Sequence, residues 1–175
     1  TAAIDAIEHC YVAVADIPQA FLKAFLTNET IMRLEGILAD TMIEIDPLKY
    51  GPWATKTKSG KTLLFVRLTR ALYGNIKASC LQFWQQLSKV LHDFGFEPNP
   101  YDHCVVNNVI NGKQCTITWH VDDLKISHEE EDVVESVITQ LESIYGKMEV
   151  TRGPLQTYLG MDSNFTEKGV VSVSM

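Results

Sequence analysis

The stretch that decides the fold is residues 113–128, which read KQCTITWHVDDLKISH. Apolar and polar residues alternate through it, which is typical of a β-strand that buries one of its faces. One face is predicted to carry Cys115, Ile117, Trp119 and Val121, and the other Thr116, Thr118, His120 and Asp122. Strand character resumes after Asp123, so the two adjacent acids are predicted to lie at a tight turn between strands.

Three further strands are predicted around this stretch. Residues 104–110 precede it and are joined to it by Asn111-Gly112, which predicts a β-hairpin because both turn residues need a positive φ. An apolar run over residues 10–15 ends at Asp16 and is predicted to be a buried strand. Pro18 blocks that strand, so the chain must turn directly after Asp16. Residues 63–68 also have strand character.

Two helices are predicted to pack on this sheet. Residues 81–94 place apolar side chains, Leu81 among them, at helical spacing and stop at Gly95. The spacing of a capping box in residues 127–130 predicts that a second helix begins there. Residues 47–60 are predicted to be a loop, and residues 29–46 give no clear assignment. The order of elements predicts an α+β fold, an antiparallel sheet with helices packed on one face.

The composition is that of one soluble globular domain. The chain has 175 residues, of which 46% are hydrophobic and 21% charged. It contains no apolar run of membrane-spanning length, so no membrane partner is expected. Its four cysteines form no C-x-x-C pair, which favours reduced thiols and a cytoplasmic setting.

The charge is distributed unevenly along the chain. The net charge is −7, yet residues 47–92 contain no acid. The basic residues of that segment are Lys49, Lys56, Lys58, Lys61, Arg67, Arg70, Lys77 and Lys89. Such a one-signed segment suits either a surface that faces phosphates or a solvated loop.

Three carboxylates are candidates for chemistry: Asp16, at the end of a predicted strand, and Asp122 and Asp123, at a predicted turn. Side chains at such places project from rigid supports, and hard oxygen ligands suit Mg²⁺. Two such ions can activate a hydroxyl group and stabilise a leaving pyrophosphate. An Asp-Asp pair by itself also suits a solvated turn, and the three acids together also suit a metal-dependent phosphohydrolase.

Four short motifs stand out along the chain: Ala15-Asp16-Ile17-Pro18-Gln19-Ala20-Phe21-Leu22, Ala71-Leu72-Tyr73-Gly74, Trp119-His120-Val121-Asp122-Asp123 and Tyr158-Leu159-Gly160-Met161. They resemble the motifs of the reverse transcriptases of copia-type LTR retrotransposons, and they occur in the family's order. Together they extend over residues 15–161. The resemblance implies an RNA-directed DNA polymerase whose sheet is the polymerase palm.

The resemblance also implies a role for individual residues. Asp16, Asp122 and Asp123 would be catalytic and hold two Mg²⁺ ions, or Mn²⁺, with the Ile17 carbonyl as a further ligand. The backbone amides of Gln19 and Ala20 would bind the triphosphate of the nucleotide, and Phe21 would be a gate against a ribose 2′-hydroxyl. Tyr73 and Gly74 would pack on the nucleotide, and Val121 would contact it where it meets the primer terminus. The primer would be gripped by Tyr158, Leu159, Gly160 and Met161. Lys147 would be the general acid that protonates pyrophosphate.

The chain departs from the family pattern at two positions. His120 stands where the family often has Tyr, and it could bind metal or contact the primer. Its place on the polar face of the strand favours primer contact. Pro18 is unusual in the first motif but compatible with a turn.

The resemblance also implies which part of the polymerase the chain contains and what its partners are. We expect residues 1–175 to be a partial reverse transcriptase domain, the palm from the first catalytic aspartate to the primer grip, without fingers, thumb or RNase H. The fragment alone is therefore expected to be inactive. Its partners would be an RNA or DNA template with its primer, a dNTP, and the rest of the retrotransposon polyprotein, inside cells and in virus-like particles. The alternative is a non-catalytic remnant that keeps only the fold or nucleic-acid binding.

Overall fold

The computed structural model describes residues 1–23, 25–70 and 76–175, and a six-stranded antiparallel sheet carries the main core. In spatial order its strands are β5 (Glu97–Pro98), β6 (Val105–Ile110), β7 (Lys113–His120), β8 (Asp123–His128), β1 (Tyr11–Asp16) and β9 (Glu149–Arg152). The predicted hairpin at Asn111-Gly112 is confirmed, and both residues have a positive φ, 54° and 78°.

Two long helices, α5 (Ile76–Asp93) and α6 (Glu131–Tyr145), pack on one face of this sheet. They meet through an edge-to-face contact between Phe83 and Tyr145, whose ring centroids are 6.0 Å apart. Beneath them Ile117 of β7 and Ile126 of β8 are fully buried. The predicted α+β fold, with an antiparallel sheet and helices packed on it, is confirmed.

The opposite face of the sheet is also covered. The short helix α1 (Ala2–Glu8) lies against it, and Asp5 forms a buried ion pair with Lys125 of β8. Thr116 and Thr118, on the face predicted to be polar, are buried as well. Alternation along β7 therefore predicts which residues share a face, although both faces are buried.

Two smaller sheets complete the described part of the chain. One contains β2 (Phe25–Glu35), β4 (Thr62–Arg70) and β3 (Thr55–Lys56) in that spatial order. The other contains β10 (Leu155–Tyr158), β11 (Met161–Asn164) and β12 (Ser172–Ser174). The remaining elements are α2 (Ala20–Lys23), α3 (Ile37–Ile45), α4 (Pro47–Tyr50) and a 3₁₀ turn at Gly51–Trp53. No helix among the described residues has the length and apolar character needed to cross a membrane.

Three local predictions were wrong. The capping box does not form, because β8 continues to His128 and the Ser127 hydroxyl donates to the Thr116 carbonyl across the sheet at 3.5 Å. Helix α6 begins only at Glu131. Residues 47–60 are not a simple loop, since Pro47 and the Asp46 side chain start α4. Leu81 is 55% exposed and does not belong to the buried stripe of α5.

The difference between Leu81 and Leu87 on α5 gives a test of the core. Leu87 is fully buried, so Leu87→Ala should lower the free energy of unfolding by about 2–5 kcal/mol. Leu81→Ala removes the same atoms from an exposed site and should cost less than about 1 kcal/mol. Urea unfolding followed by circular dichroism measures both. Equal losses would show that α5 does not pack as described.

Candidate active site

The pairing of β1 with β8 brings the first motif predicted to be catalytic to the turn between β7 and β8. Asp16, the last residue of β1, lies directly opposite Asp123, the first residue of β8. The chain then turns, and the Ile17 amide donates to the Asp122 carbonyl at 3.1 Å. The ladder and this additional bond hold the two motifs together although 106 residues separate Asp16 from Asp122.

The three carboxylates converge, as expected from the sequence. One oxygen from each of Asp16, Asp122 and Asp123 lies within 4.8 Å of the others, and all three residues are partly buried. Three carboxylate oxygens at this separation suit a hard divalent cation, which can complete its coordination with water and phosphate oxygens. The described residues contain no other group of three potential ligands so close together. The donor set therefore fits the metal ions that the resemblance implies.

The turn that presents Asp122 is strained. Val121 and Asp122 form a two-residue loop between the paired residues His120 and Asp123. Val121 has φ 61° and Asp122 does not have a positive φ, which is the pattern of a type II′ turn. A β-branched residue in the left-handed region costs on the order of 1–3 kcal/mol. Val121 is held there because its side chain packs against the main core.

Crowding of negative charge governs the electrostatics of the site. Partial burial raises the pKa of the Asp16 carboxyl above its ordinary range, and the neighbouring carboxylates of Asp122, Asp123 and Glu149 raise it further. Glu149 lies opposite Asp16 on β9 and was not predicted from the sequence. A bound cation would relieve this repulsion, because it favours the charged form of each acid.

Two backbone groups that were predicted to bind ligands form a hydrogen bond with each other in the turn after Asp16. The Ala20 amide donates to the Ile17 carbonyl at 3.2 Å, so the predicted triphosphate donor and the predicted metal ligand bond to each other. The Ile17 oxygen keeps a second lone pair for another partner. Gln19 is exposed with φ 58°, and Pro18 lies in the turn as predicted.

The predicted primer grip approaches the same site. Tyr158 and Met161 pair across the turn formed by Leu159 (φ 54°) and Gly160 (φ 72°). Burial raises the pKa of the Tyr158 hydroxyl; the Thr118 hydroxyl lowers it and the Asp123 carboxylate adds to the rise.

Two further predicted site residues, His120 and Lys147, are exposed. His120 is exposed and lies on the same face of the sheet as Asp123. Lys147 is exposed in the turn between α6 and β9, two residues before Glu149. The predicted roles of Tyr73 and Gly74, and of the Phe21 side chain, fall outside the part of the chain that the structure describes.

The crowding of the acids predicts how Asp16 affects stability. Because its pKa is raised on folding, the folded chain binds more protons, and stability falls as the pH rises above the usual pKa of an aspartate. In the presence of a chelator, Asp16→Asn should therefore be more stable than the wild type at pH 7 and depend less on pH above about 4. Thermal melts from pH 4 to pH 8 measure this.

Asp132→Asn is the control, because it removes the same charge from an exposed position on α6. It should not stabilise the chain. A less stable Asp16→Asn variant at pH 7 would contradict the account of repulsion among the acids.

The chain matches one known protein family in sequence. The sequence model of a family described as reverse transcriptase (RNA-dependent DNA polymerase) matches residues 1–174. No curated protein gives a match. Among solved structures, the chain is similar to an apo telomerase from Candida tropicalis truncated from the C-terminal domain, with 16% identity and a TM-score of 0.48. That alignment covers 94% of this chain and 35% of the telomerase chain, so this chain spans about a third of that protein. Because the family match covers nearly its whole length, the chain belongs to the reverse transcriptase family.

Proposed function

We propose that the chain is the palm of a copia-type retrotransposon polymerase and transfers nucleotides from dNTPs to a primer 3′-hydroxyl. The family as a whole supports RNA-directed DNA polymerase activity on a nucleic-acid template. The observation that carries the proposal is the convergence of Asp16, Asp122 and Asp123 at the ends of two paired strands. A domain that served only to bind nucleic acid would have no need to crowd three carboxylates there.

The carboxylates would hold two Mg²⁺ ions, or Mn²⁺. Ions bound there supply positive charge that favours the deprotonated 3′-hydroxyl and the leaving pyrophosphate. Asp16 and Asp123 are fixed by the β1–β8 ladder, and Asp122 by the Val121 turn and the Ile17 amide. This rigidity matters because phosphoryl transfer depends chiefly on positioning and electrostatics.

The transfer itself is a displacement at the α-phosphorus of the dNTP. The 3′-oxygen of the primer loses its proton to solvent water and forms the new phosphodiester bond, and the bond between the α-phosphorus and the oxygen that bridges to the β-phosphate breaks. Lys147 precedes β9, the strand on which Glu149 lies opposite Asp16. It is proposed to donate a proton to the pyrophosphate. The transferred proton and the metal ions would then balance the charge of the leaving group, and Lys147 would be left as a neutral amine.

The remaining residues would position the two substrates. We propose that the hairpin of Tyr158, Leu159, Gly160 and Met161 and the exposed His120 contact the primer. Gln19, Ala20, Phe21, Tyr73, Gly74 and Val121 are proposed to contact the nucleotide. The Ala20 amide must release its bond to Ile17, or share it, if it is to meet a triphosphate oxygen. We further propose an intracellular polyprotein as the setting of this domain, with other segments supplying fingers, thumb and RNase H.

The proposal is tested by primer extension on an RNA template, with this domain placed in a complete polymerase. Asp122→Asn should lower the rate at least about a hundredfold, because it weakens an interaction with the metal ions that is worth several kcal/mol. Asp132→Asn, which makes the same charge change on the surface of α6, should leave the rate within about twofold. Equal activity of the wild type and Asp122→Asn would reject polymerase chemistry at this site and favour a non-catalytic, binding role.

The hairpin formed by β3 and the start of β4, here called the basic hairpin, offers a second test, which concerns binding of the template and primer. Lys56, Lys58 and Lys61 lie at or near the turn between β3 and β4, and all three are predominantly exposed. If they neutralise phosphates, replacing all three with Gln should reduce the slope of log affinity against log salt by up to about 0.9 for each phosphate that is no longer neutralised. Binding of a labelled primer–template at several salt concentrations measures the slope.

The matched control replaces Lys89, Lys113 and Lys168 with Gln. Lys89 and Lys113 are already paired with Asp93 and Glu129, at 2.6 and 2.9 Å. This variant has the same net charge as the first and should keep the wild-type slope. If both variants change the slope equally, the hairpin is a solvated loop rather than a surface that faces phosphates.

A further inference from the structure

The buried ion pair between Asp5 and Lys125 lies on the same sheet face as the candidate active site. Only 6% of the Lys125 side chain and 4% of the Asp5 side chain are exposed. The Lys125 ammonium donates to the Asp5 carboxylate and, at 3.2 Å, to the Thr1 hydroxyl. A buried ammonium needs an anionic partner, because an unpaired charge is costly to bury.

Lys125 lies one step along β8 from the catalytic carboxylates. Asp123 and Lys125 are two residues apart on one strand, so they share a face, with Cα atoms about 6.7 Å apart. Their neighbours on β1 follow the same pattern: Asp16 is opposite Asp123, and Val14 is opposite Lys125. The Lys125 side chain therefore leaves β8 on the same face as this pair of acids, one step further along the strand, and its ammonium is held at α1.

The ammonium consequently has two possible sets of anionic partners. It stands at the end of a flexible four-carbon stem, whose length is comparable with the spacing of about 6.7 Å between the Cα atoms of Lys125 and Asp123. Three crowded carboxylates attract any cation within reach, and an internal ammonium competes with a metal ion for the same oxygens. In the structure the ammonium is paired with α1. The position of Asp5 is fixed, since its backbone accepts from the Cys10 amide at 2.8 Å where the chain enters β1.

We propose that Asp5 is a positioning residue, which holds the Lys125 ammonium away from Asp16, Asp122 and Asp123 and so leaves these carboxylates free to bind divalent metal ions. The inference rests on the proposed function, because it requires that the three carboxylates bind metal. It assigns α1 a part in the active site although no residue of α1 belongs to the carboxylate cluster. Loss of Asp5 would turn Lys125 into an internal competitor of the metal.

Mn²⁺ binding to residues 1–175, measured by calorimetry, tests the proposal with four proteins. Asp5→Asn releases the ammonium and should weaken Mn²⁺ binding about tenfold. Lys125→Met removes the competitor and should leave the affinity within about twofold of the wild type. The double variant Asp5→Asn/Lys125→Met should recover the affinity that Asp5→Asn loses. A merely structural ion pair would not give this recovery, because the double variant lacks the pair altogether.

The control is Glu129→Gln, which releases Lys113 at the opposite end of β7 and changes the net charge equally. It should bind Mn²⁺ like the wild type. Unchanged affinity in Asp5→Asn, or a double variant as weak as Asp5→Asn, would overturn the proposal. If Asp5→Asn does not fold by its melting curve, the ion pair serves the fold rather than the metal site, and the proposal is rejected.

The proposed function can fail separately from this inference. If the wild type binds no Mn²⁺, or if Asp122→Asn binds it as well as the wild type does, the carboxylates are not the metal site, and the proposed function fails together with the inference. If Asp122→Asn abolishes binding while Asp5→Asn has no effect, only the role of Asp5 is rejected.

Discussion

The register between β1 and β8 is the constraint on which the site depends. Opposite residues alternate between the two faces of a sheet, so a shift by one residue would send Asp16 to the face of α5 and α6 and leave Asp123 alone. The register is held by the fully buried Ala13, Ala15, Leu124 and Ile126. Packing on the core face thus determines which carboxylates lie side by side on the other face.

That arrangement lowers the stability of the folded chain through electrostatic repulsion. Three carboxylates at the strand ends, with Glu149 beside them, repel one another, and the Asp16 pKa rises in response. The Val121 turn adds backbone strain at the same point. Side chains that are held in place for a ligand commonly lower the stability of the ligand-free protein, and the bound ligand compensates for that loss. Here the core beneath the sheet supplies the compensation until a cation binds.

The sequence predicts the parts of the molecule that rest on local patterns. Alternation along residues 113–121 predicts the strand that ends at the acids, and Asn111-Gly112 predicts the turn that joins this strand to β6, because both signals act between neighbouring residues. The position of Glu149 could not be predicted, since it depends on pairing of β9 with a strand more than 130 residues earlier. The Asp5–Lys125 pair is equally remote, and a lysine in an alternating strand suggests an exposed face until a helix is found to cover it. Ser127 shows the converse error: a local capping pattern was overridden by the sheet, where its hydroxyl bonds across to Thr116.

The carboxylates at the ends of β1 and β8 are proposed to bind the metal ions of nucleotidyl transfer. Crystals of the chain soaked with Mn²⁺ and a dNTP, measured near the manganese absorption edge, test this proposal most directly. The account predicts two anomalous peaks about 3.5–4 Å apart, both in contact with oxygens of Asp16, Asp122 and Asp123. Anomalous peaks only at other acids of the surface, with none at these three carboxylates, would contradict it.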